Sequence, residues 1–267
     1  AGWHQVAGWI DEDIKAGKTL AAAALPAWAL ETDRAGVHFA DGSFDATAGK
    51  LVGRSTLDVY QRQLAPAKVL GEAAGLLGET VFDNEGVRAF TTGDDVLVVS
   101  FKSKAHAIGP DVIDGVNTAI DIAEARFKGL VIWQTEEPFS VGADLQSMLP
   151  AFMMGDWDAI DTMVRRFQTT SMRLRYSHIP TVAATQGYVF GGGCEFAMHC
   201  DKVVAALESY VGLVEVGVGL LPGGGGCKEF ALRAAQNAQG DVLAALKDSF
   251  MAIATAKVAT SGHEAQE

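Results

Sequence analysis

Two glutamates, Glu195 and Glu215, interrupt apolar, glycine-rich segments of this 267-residue chain. Glu195 comes two residues after the glycine run 191–193, and Glu215 divides the apolar stretch 211–221. A carboxylate buried in such a segment is costly unless it has a partner or a chemical task. For one glutamate, hydrogen bonds to local backbone N–H groups explain the burial equally well. For two, each beside a glycine-rich turn, we favour a pair of acid–base residues.

Glycine is concentrated between residues 187 and 226, where it provides 11 of 40 residues. Close packing of helices against strands is one explanation. The other is that glycine exposes N–H groups at helix N-termini, where they and the helix dipole bind an oxyanion. A third segment, residues 137–145, follows an apolar strand and would direct the Ala143 N–H into the same space. Its simpler interpretation is a strand-to-helix loop with Asp144 in the first helical turn.

Other familiar motifs fail when their spacing is counted. The Gly-Lys-Thr at 17–19 lacks the first glycine of a phosphate-binding loop, which would fall on Glu12. The Gly-Val-Gly at 217–219 lacks the third glycine of a dinucleotide fingerprint, which would fall on Pro222. No Gly-x-Ser-x-Gly motif occurs. The histidines are scattered and the cysteines lack the paired spacing of a zinc site, so we expect no metal.

The chain from about residue 81 alternates short apolar strands with amphipathic helices. This alternation predicts an α/β domain with crossover connections. Predicted strands cover residues 87–92, 96–101, 129–133, 181–185 and 202–207, and predicted helices cover 111–127, 156–176, 191–200 and 223–235, with more helix after Gly240. The predicted apolar faces are Val112, Val116, Ile120 and Ala123 in the first helix and Ile160, Met163, Val164, Phe167 and Met172 in the second.

Residues 1–78 have a less regular pattern. A short amphipathic helix with Trp9, Ile10 and Ile14 on one side precedes small strands within residues 36–52, and helical material follows over 57–77. No convergent polar groups occur in this part. We interpret it as an appended segment or the tail of a preceding domain.

The composition limits the class of protein. Hydrophobic residues make up 49% and charged residues 20%, a globular balance. Lys plus Arg, 21, minus Asp plus Glu, 33, gives a net charge of −12, which argues against a nucleic-acid partner. Three cysteines argue against a disulfide scaffold and for a reducing compartment. With neither a signal peptide nor a membrane-spanning stretch, we expect a cytoplasmic protein with no membrane partner.

Four segments together resemble the crotonase (enoyl-CoA hydratase/isomerase) family, in the family's order and spacing. They are residues 139–145, 180–197, 200–201 and 214–226. The resemblance implies a spiral of ββα units, a homo-oligomer that is a trimer or dimer of trimers, and an acyl-CoA thioester substrate. No cofactor is implied, because the coenzyme A belongs to the substrate.

The resemblance starts near residue 81 and so leaves the N-terminal part outside it. Residues 1–78 resemble the connection from a 3-hydroxyacyl-CoA dehydrogenase in fused fatty-acid oxidation proteins. The family's C-terminal helices are mostly missing after Glu267. We therefore expect an extension at 1–78 and a crotonase-like hydratase domain at 79–267 that is truncated at its C-terminus.

The resemblance assigns roles to individual residues. It implies that Glu195 and Glu215 are the hydratase carboxylates and that the Ala143 and Gly192 amides form the oxyanion hole. At position 106 a histidine stands where the family most often has asparagine. The residues that the resemblance places along the coenzyme A and the thioester are Lys104, Ala105, Ala107, Ile108, Ser140, Gly142, Asp144 and Gly191.

The expected activity is hydration of 2-enoyl-CoA to 3-hydroxyacyl-CoA in fatty-acid β-oxidation. Water attacks the β-carbon, with Glu195 mainly activating the water and Glu215 protonating the α-carbon, while two N–H donors stabilise the thioester oxygen. One alternative is a Δ3-Δ2 enoyl-CoA isomerase, for which Glu215 alone suffices as the base. Another is a catalytically silent assembly domain of a multifunctional enzyme. The presence of Glu195 favours hydration.

Overall fold

The structure is a computed structural model that describes residues 3–20, 23–31, 37–39, 42–53, 57, 77–238 and 240–266. The chain divides into two units, Ala1–Leu76 and Leu77–Glu267. This division lies close to the boundary expected after residue 78. That the first unit is a connection from a dehydrogenase stays a prediction.

The described residues of the first unit include a long helix and a small antiparallel sheet. Helix α1 covers Trp3–Lys15 and is the predicted amphipathic helix, although its Trp9 side chain is 52% exposed. The small strands expected within residues 36–52 are confirmed as β1 (His38–Phe39), β2 (Gly42–Asp45) and β3 (Lys50–Val52), in the order β1-β2-β3. Apart from its two end residues, the helical segment predicted over 57–77 lies outside the described residues.

The second unit is built on a six-stranded sheet in the order β4-β5-β6-β7-β8-β9. Strands β4 to β6 pair in antiparallel fashion, and β6 to β9 pair in parallel. The bounds are β4 Glu79–Asp83, β5 Val87–Thr91, β6 Val96–Phe101, β7 Gly129–Trp133, β8 Thr181–Phe190 and β9 Lys202–Gly212. Strand β4 was not predicted from the sequence, because a register shift between Thr80 and Phe82 breaks the alternation of apolar and polar residues.

Six helices of the second unit connect or follow these strands within the described residues. The bounds are α2 Pro110–Arg126, α3 Leu145–Met154, α4 Trp157–Arg175, α5 Gly192–His199, α6 Gly226–Asn237 and α7 Val242–Ala254. Helix α3 begins directly after Asp144, in agreement with the interpretation of residues 137–145 as a strand-to-helix loop, although its extent was not predicted. It is capped by the Asp144 side chain, contains Pro150 and ends at Gly155 in the left-handed conformation. The alternation of strands and helices confirms the predicted α/β class.

Strands β8 and β9 are longer than the predicted segments, which end at residues 185 and 207. Their register shifts between Thr185 and Gly187, where glycine adopts a positive φ of 58°. The pair Gln186-Gly187 has the composition of a turn, and this is why the sequence pattern stops there. Because β8 continues to Phe190, its end lies at the glycine run that opens α5.

The core lies between the sheet and helices α2 and α5. The predicted face of α2 (Val112, Val116, Ile120 and Ala123) is confirmed, with every side chain no more than 2% exposed. The predicted face of α4 is only half-buried, and the fully buried positions of that helix are Thr170, Ser171 and Leu174. The physical reason is that this face of α4 borders a cavity.

Burial depth predicts the cost of truncating leucines. Leu130 on β7 is 1% exposed, whereas Leu149 on α3 is 54% exposed. We expect Leu130→Ala to lower the free energy of unfolding by about 2–5 kcal/mol. The matched Leu149→Ala should change it by no more than about 0.5 kcal/mol. Urea denaturation followed by far-ultraviolet circular dichroism measures both, and equal losses would contradict the packing described here.

Candidate active site

The loop before α3 is attached to the extended end of β8. The Ser140 amide donates to the Tyr188 carbonyl at 3.0 Å, and the Phe190 amide donates to the Ser140 carbonyl at 3.0 Å. The Ser140 side chain is fully buried; its hydroxyl donates to the His106 carbonyl at 2.7 Å and accepts from the Gly142 amide at 3.1 Å. Ser140 therefore fixes the loop through hydrogen bonds of both its backbone and its buried hydroxyl.

A second segment, residues 104–108, is paired with the same loop. The Ile108 amide donates to the Gly142 carbonyl at 2.8 Å, and the Asp144 amide donates to the Ile108 carbonyl at 3.0 Å. His106 has a positive φ of 55°, a conformation in which asparagine, aspartate and histidine are the enriched non-glycine residues. Its Nδ1 lies 2.5 Å from the Pro138 carbonyl oxygen. Two hydrogen-bonded segments thus form one wall of the site.

The Ala143 and Gly192 amides are neighbours. A Cβ added at Gly142 would lie 3.1 Å from the Gly192 nitrogen, and one added at Gly192 would lie 3.3 Å from the Ala143 nitrogen. The two bonds that pair this loop with Ile108 do not use the Ala143 N–H. Gly192 is the first residue of α5, so its N–H has no carbonyl partner within the helix. Two N–H groups beside a helix N-terminus are suited to stabilise an oxyanion.

Glu195 lies in the first turn of α5 and is 3% exposed. Its Oε1 accepts a hydrogen bond from the Gly226 amide at 2.8 Å. Burial raises the pKa of Glu195 to about 7; the negative charge of Glu215 contributes to this rise, and the Gly226 N–H opposes it. A carboxylate with this pKa exchanges protons near neutral pH, which suits a general acid or base.

Glu215 begins a short 3-10 turn, Glu215–Val218, and is partly buried. Its Oε2 is buried and makes no hydrogen bond with any residue that the structure describes. Its Oε1 lies 3.1 Å from the position of a Cβ added at Gly191. Burial raises the pKa of Glu215 as well.

The expectation that the whole stretch 211–221 is buried is wrong. Val218 is 63% exposed and Leu221 is 72% exposed. The physical reason is that β9 ends at Gly212 and the chain then turns along the rim of a cavity. Leu213 stays in the core at 2% exposure, and the Glu215 carboxylate lines the cavity.

This cavity, of about 370 Å³, brings eight of the predicted site residues together. They are Ile108, Gly142, Ala143, Asp144, Gly191, Gly192, Glu195 and Glu215. Four others do not line it: Lys104, Ala105, Ala107 and Ser140. The half-buried face of α4 also borders this cavity, through Ile160, Met163, Val164 and Phe167. These side chains form an apolar wall of the cavity, which is why they are not fully buried.

A buried charge cluster that was not predicted from the sequence lies behind Glu195. His199, at the end of α5, is 1% exposed, and Glu229, in the first turn of α6, has no exposed surface. Like Glu195 and Glu215, Glu229 is a carboxylate beside a glycine-rich segment. Its neighbour Lys228 gives the segment the appearance of a solvated helix face.

Comparison with known proteins identifies the class. The sequence model of the family described as Enoyl-CoA hydratase/isomerase matches residues 91–260. The chain belongs to this family, whose members are also called crotonases. Over 68% of this chain and 68% of the other, it matches the crystal structure of an enoyl-CoA hydratase from Thermoplasma volcanium with a TM-score of 0.58 and 23% identity. The crotonase-type fold is thus confirmed.

Two curated relatives are much longer proteins. One, from Bacillus subtilis, is named "Probable 3-hydroxyacyl-CoA dehydrogenase" and is 40% identical over 200 residues, which are 75% of this chain and 25% of that protein. The other, a fatty acid oxidation complex subunit alpha from Colwellia psychrerythraea, is 36% identical over 99 residues, which are 37% of this chain and 14% of that protein. The chain spans a quarter or less of the length of each.

Three further findings concern a membrane, a metal ion and the cysteines. Among the described residues, no helix has the length and apolarity needed to cross a membrane. Within the same residues, no group of three or more His, Cys, Asp or Glu side chains is arranged to hold a metal ion. The three cysteines, Cys194, Cys200 and Cys227, are free thiols.

The second glycine run makes room for Glu195, and this predicts a steric effect. A Cβ at Gly224 would overlap Glu195 Oε2 and the Phe167 ring, whereas a Cβ at Gly217 would meet no atom within 4 Å. Neither glycine has a positive φ. We expect Gly224→Ala to lower the free energy of unfolding by about 1–3 kcal/mol and to displace Glu195.

The matched control is Gly217→Ala, which should leave stability unchanged or raise it by up to about 1 kcal/mol. Urea denaturation measures both variants, and a crystal structure of Gly224→Ala locates the Glu195 carboxylate. Equal stability of the two variants, with Glu195 in place, would contradict the close contact.

The raised pKa of Glu195 also predicts how stability depends on pH. The folded state keeps a proton up to about pH 7 that the unfolded state releases near the ordinary value of 4.5. The wild-type chain should therefore lose about 3 kcal/mol of stability as pH rises through this window. Glu195→Gln removes this group and should lose about 3 kcal/mol less than the wild type across the window, while the contribution of Glu215, whose pKa is also raised, remains. Urea denaturation across the window tests the prediction, which parallel stability curves would contradict.

Proposed function

We propose that the unit Leu77–Glu267 adds water to the double bond of 2-enoyl-CoA thioesters and forms 3-hydroxyacyl-CoA. The observation that carries this proposal is the meeting of two carboxylates and two backbone N–H groups in one apolar cavity. The carboxylates are Glu195 and Glu215, and the N–H groups belong to Ala143 and Gly192. Membership of the family supports the same reaction.

The amides act on the thioester oxygen. When water attacks the β-carbon, electrons move through the α-carbon to this oxygen, which gains negative charge. The Ala143 and Gly192 N–H groups donate hydrogen bonds to it, and the N-terminus of α5 adds its positive dipole. Loss of a single donor of this kind costs on the order of 100-fold or more in rate in other enzymes.

The glutamates move the protons. Glu195 takes a proton from the attacking water, whose oxygen bonds to the β-carbon, and Glu215 gives its proton to the α-carbon. A proton then passes from Glu195 back to Glu215 through solvent, which restores both groups. The raised pKa values of both carboxyls support a pair that shares one proton near neutral pH, so the division of roles belongs to the pair.

Binding follows from the walls of the cavity. The acyl chain lies against the apolar face of α4, and coenzyme A lies along residues 104–108 and the loop 140–144. The segment that contains Lys104, Ala105 and Ala107 then contributes outside the cavity, through its exposed surface. Ser140 also contributes from outside the cavity, through backbone that shapes the loop. The reaction is acid–base chemistry on a carbon–carbon double bond, so it requires no metal or redox cofactor.

The wider setting is also a proposal. The relative named as a 3-hydroxyacyl-CoA dehydrogenase supports fusion of this unit to such a dehydrogenase in a longer protein. A homo-oligomer, trimer or dimer of trimers, and a role in fatty-acid β-oxidation follow from the family resemblance. Three free cysteines support a cytoplasmic location.

Replacing the glutamates tests the reaction. We expect Glu195→Gln and Glu215→Gln each to lower hydration of crotonyl-CoA and of a longer 2-enoyl-CoA by roughly 100-fold or more. The double variant should be far from additive, because the two groups act as one unit. The assay follows the loss of the conjugated thioester absorbance. Glu208→Gln, which changes an exposed carboxylate outside the cavity, is the matched control and should retain wild-type turnover.

Other outcomes would assign other functions. Near-wild-type hydration in either single variant would contradict the paired roles. Conversion of 3-enoyl-CoA to 2-enoyl-CoA that survives Glu195→Gln but not Glu215→Gln would indicate an isomerase. A folded wild-type chain that binds a CoA thioester without turning it over would indicate a silent assembly domain.

A further inference from the structure

The cluster behind Glu195 joins three helices. Glu229 Oε1 on α6 lies 2.6 Å from Arg175 Nη1 at the end of α4 and 2.8 Å from Lys228 Nζ. His199 Nε2 at the end of α5 lies 3.6 Å from the same oxygen, and Arg233 Nε lies 3.8 Å from Oε2. Burial favours the neutral form of Glu229, but the Lys228 hydrogen bond and the nearby positive charges outweigh it and hold its pKa below the usual value. Glu229 is therefore a buried anion.

His199 connects this anion to the backbone of Glu195. Its Nδ1 lies 2.7 Å from the Glu195 carbonyl oxygen, and its Nε2 lies 3.0 Å from Lys228 Nζ. A carbonyl only accepts and an ammonium only donates, so Nδ1 carries the proton and Nε2 accepts from Lys228. Burial lowers the pKa of His199, which agrees with this neutral form. The chain of contacts runs from Glu229 through Lys228 and His199 to Glu195.

The cluster also fixes the start of α6. Gly225, at a φ of 128°, is in contact with the His199 ring, where an added Cβ would lie 2.5 Å from Cε1. The Glu229 amide donates to the Gly225 carbonyl at 2.9 Å. The next residue, Gly226, supplies the N–H that Glu195 Oε1 accepts. The orientation of the Glu195 carboxylate thus depends on how the first turn of α6 packs against the last turn of α5.

We propose that Glu229 is a positioning residue, which holds α6 against α5 through Lys228 and His199 so that the Gly226 amide orients the Glu195 carboxylate. Without the anion, Arg175, Lys228 and Arg233 repel one another in the space between the helices. Their side chains are 32%, 40% and 52% exposed, so they can turn toward water, and the helices then lose their common anchor. This inference rests on the proposed function, because Glu195, whose orientation depends on Glu229, is the glutamate that activates water in that function.

The readout is the titration of Glu195. The charged or titratable groups near it are Glu215 from the 3-10 turn, Cys227 from α6 and Cys194 from α5 itself. The Gly226 N–H favours the ionised form of Glu195, so a displaced α6 raises the Glu195 pKa above about 7. The acid side of the profile of kcat against pH moves upward by the same amount. A purely structural role for Glu229 moves neither quantity.

Glu229→Gln is the main test. We expect kcat for crotonyl-CoA to fall roughly 10- to 100-fold while KM stays within about twofold, because the geometry at the reacting atoms changes and the acyl cavity does not. The Glu195 carboxyl, followed by 13C NMR and assigned with Glu195→Gln, should titrate at higher pH. Asp121→Asn, which removes the partner of Arg173 away from the cavity, is the matched control and should change neither.

Lys228→Met is a second variant that keeps Glu229 and its pair with Arg175, and it applies if Glu229→Gln does not fold. It should move kcat and the Glu195 titration in the same direction by a smaller factor. Wild-type kcat and an unchanged titration in a folded variant would overturn the inference, and so would a loss of activity that only tracks the folded fraction. If the wild-type chain does not hydrate crotonyl-CoA, the proposed function fails, and the NMR titration alone then decides the role of Glu229.

Discussion

The contact between the Glu195 carboxylate and the Gly226 amide is the interaction on which the site depends. A carboxylate that is 3% exposed is tolerated because this N–H satisfies one oxygen and because the environment lets the group take up a proton near neutral pH. The contact places the Gly226 nitrogen, at the start of α6, 2.8 Å from Oε1 of Glu195 on α5. That approach is close enough to exclude a side chain at Gly224 and Gly225. Close packing therefore explains these two glycines, Gly224 against the Glu195 carboxylate and Gly225 against the His199 ring.

Backbone geometry on the other side of the cavity is set by the length of β8. Its continuation to Phe190 gives the loop before α3 a strand to pair with. The Ser140 hydroxyl stabilises this loop further by donating a hydrogen bond to the His106 carbonyl. This brings the Ala143 amide beside the N-terminus of α5. Both N–H groups thus lie on segments held by several hydrogen bonds, so little reorganisation accompanies charge development on a bound oxygen.

Three buried glutamates in this unit behave differently because their surroundings differ. Burial raises the pKa of Glu195 and Glu215, which have few positive neighbours. Glu229 is more buried than either, yet the Lys228 hydrogen bond and the charges of Lys228 and Arg175 hold its pKa low. The first two are suited to exchange protons, and the third is suited to remain an anion that other groups pack around. Residue type alone does not distinguish these roles.

The sequence by itself determined the α/β class, the face of α2 that packs on the sheet, and the pairing of Glu195 with Glu215. These follow from local periodicity and from carboxylates placed among apolar residues, which neighbours in the chain reveal. Only the tertiary structure decided that the apolar face of α4 lines a cavity, that Ser140 is buried scaffolding, and that Glu229 and His199 form a cluster behind Glu195. Those properties depend on contacts between residues that are distant along the chain, such as Arg175 with Glu229, and a local pattern carries no information about which distant segment will cover it.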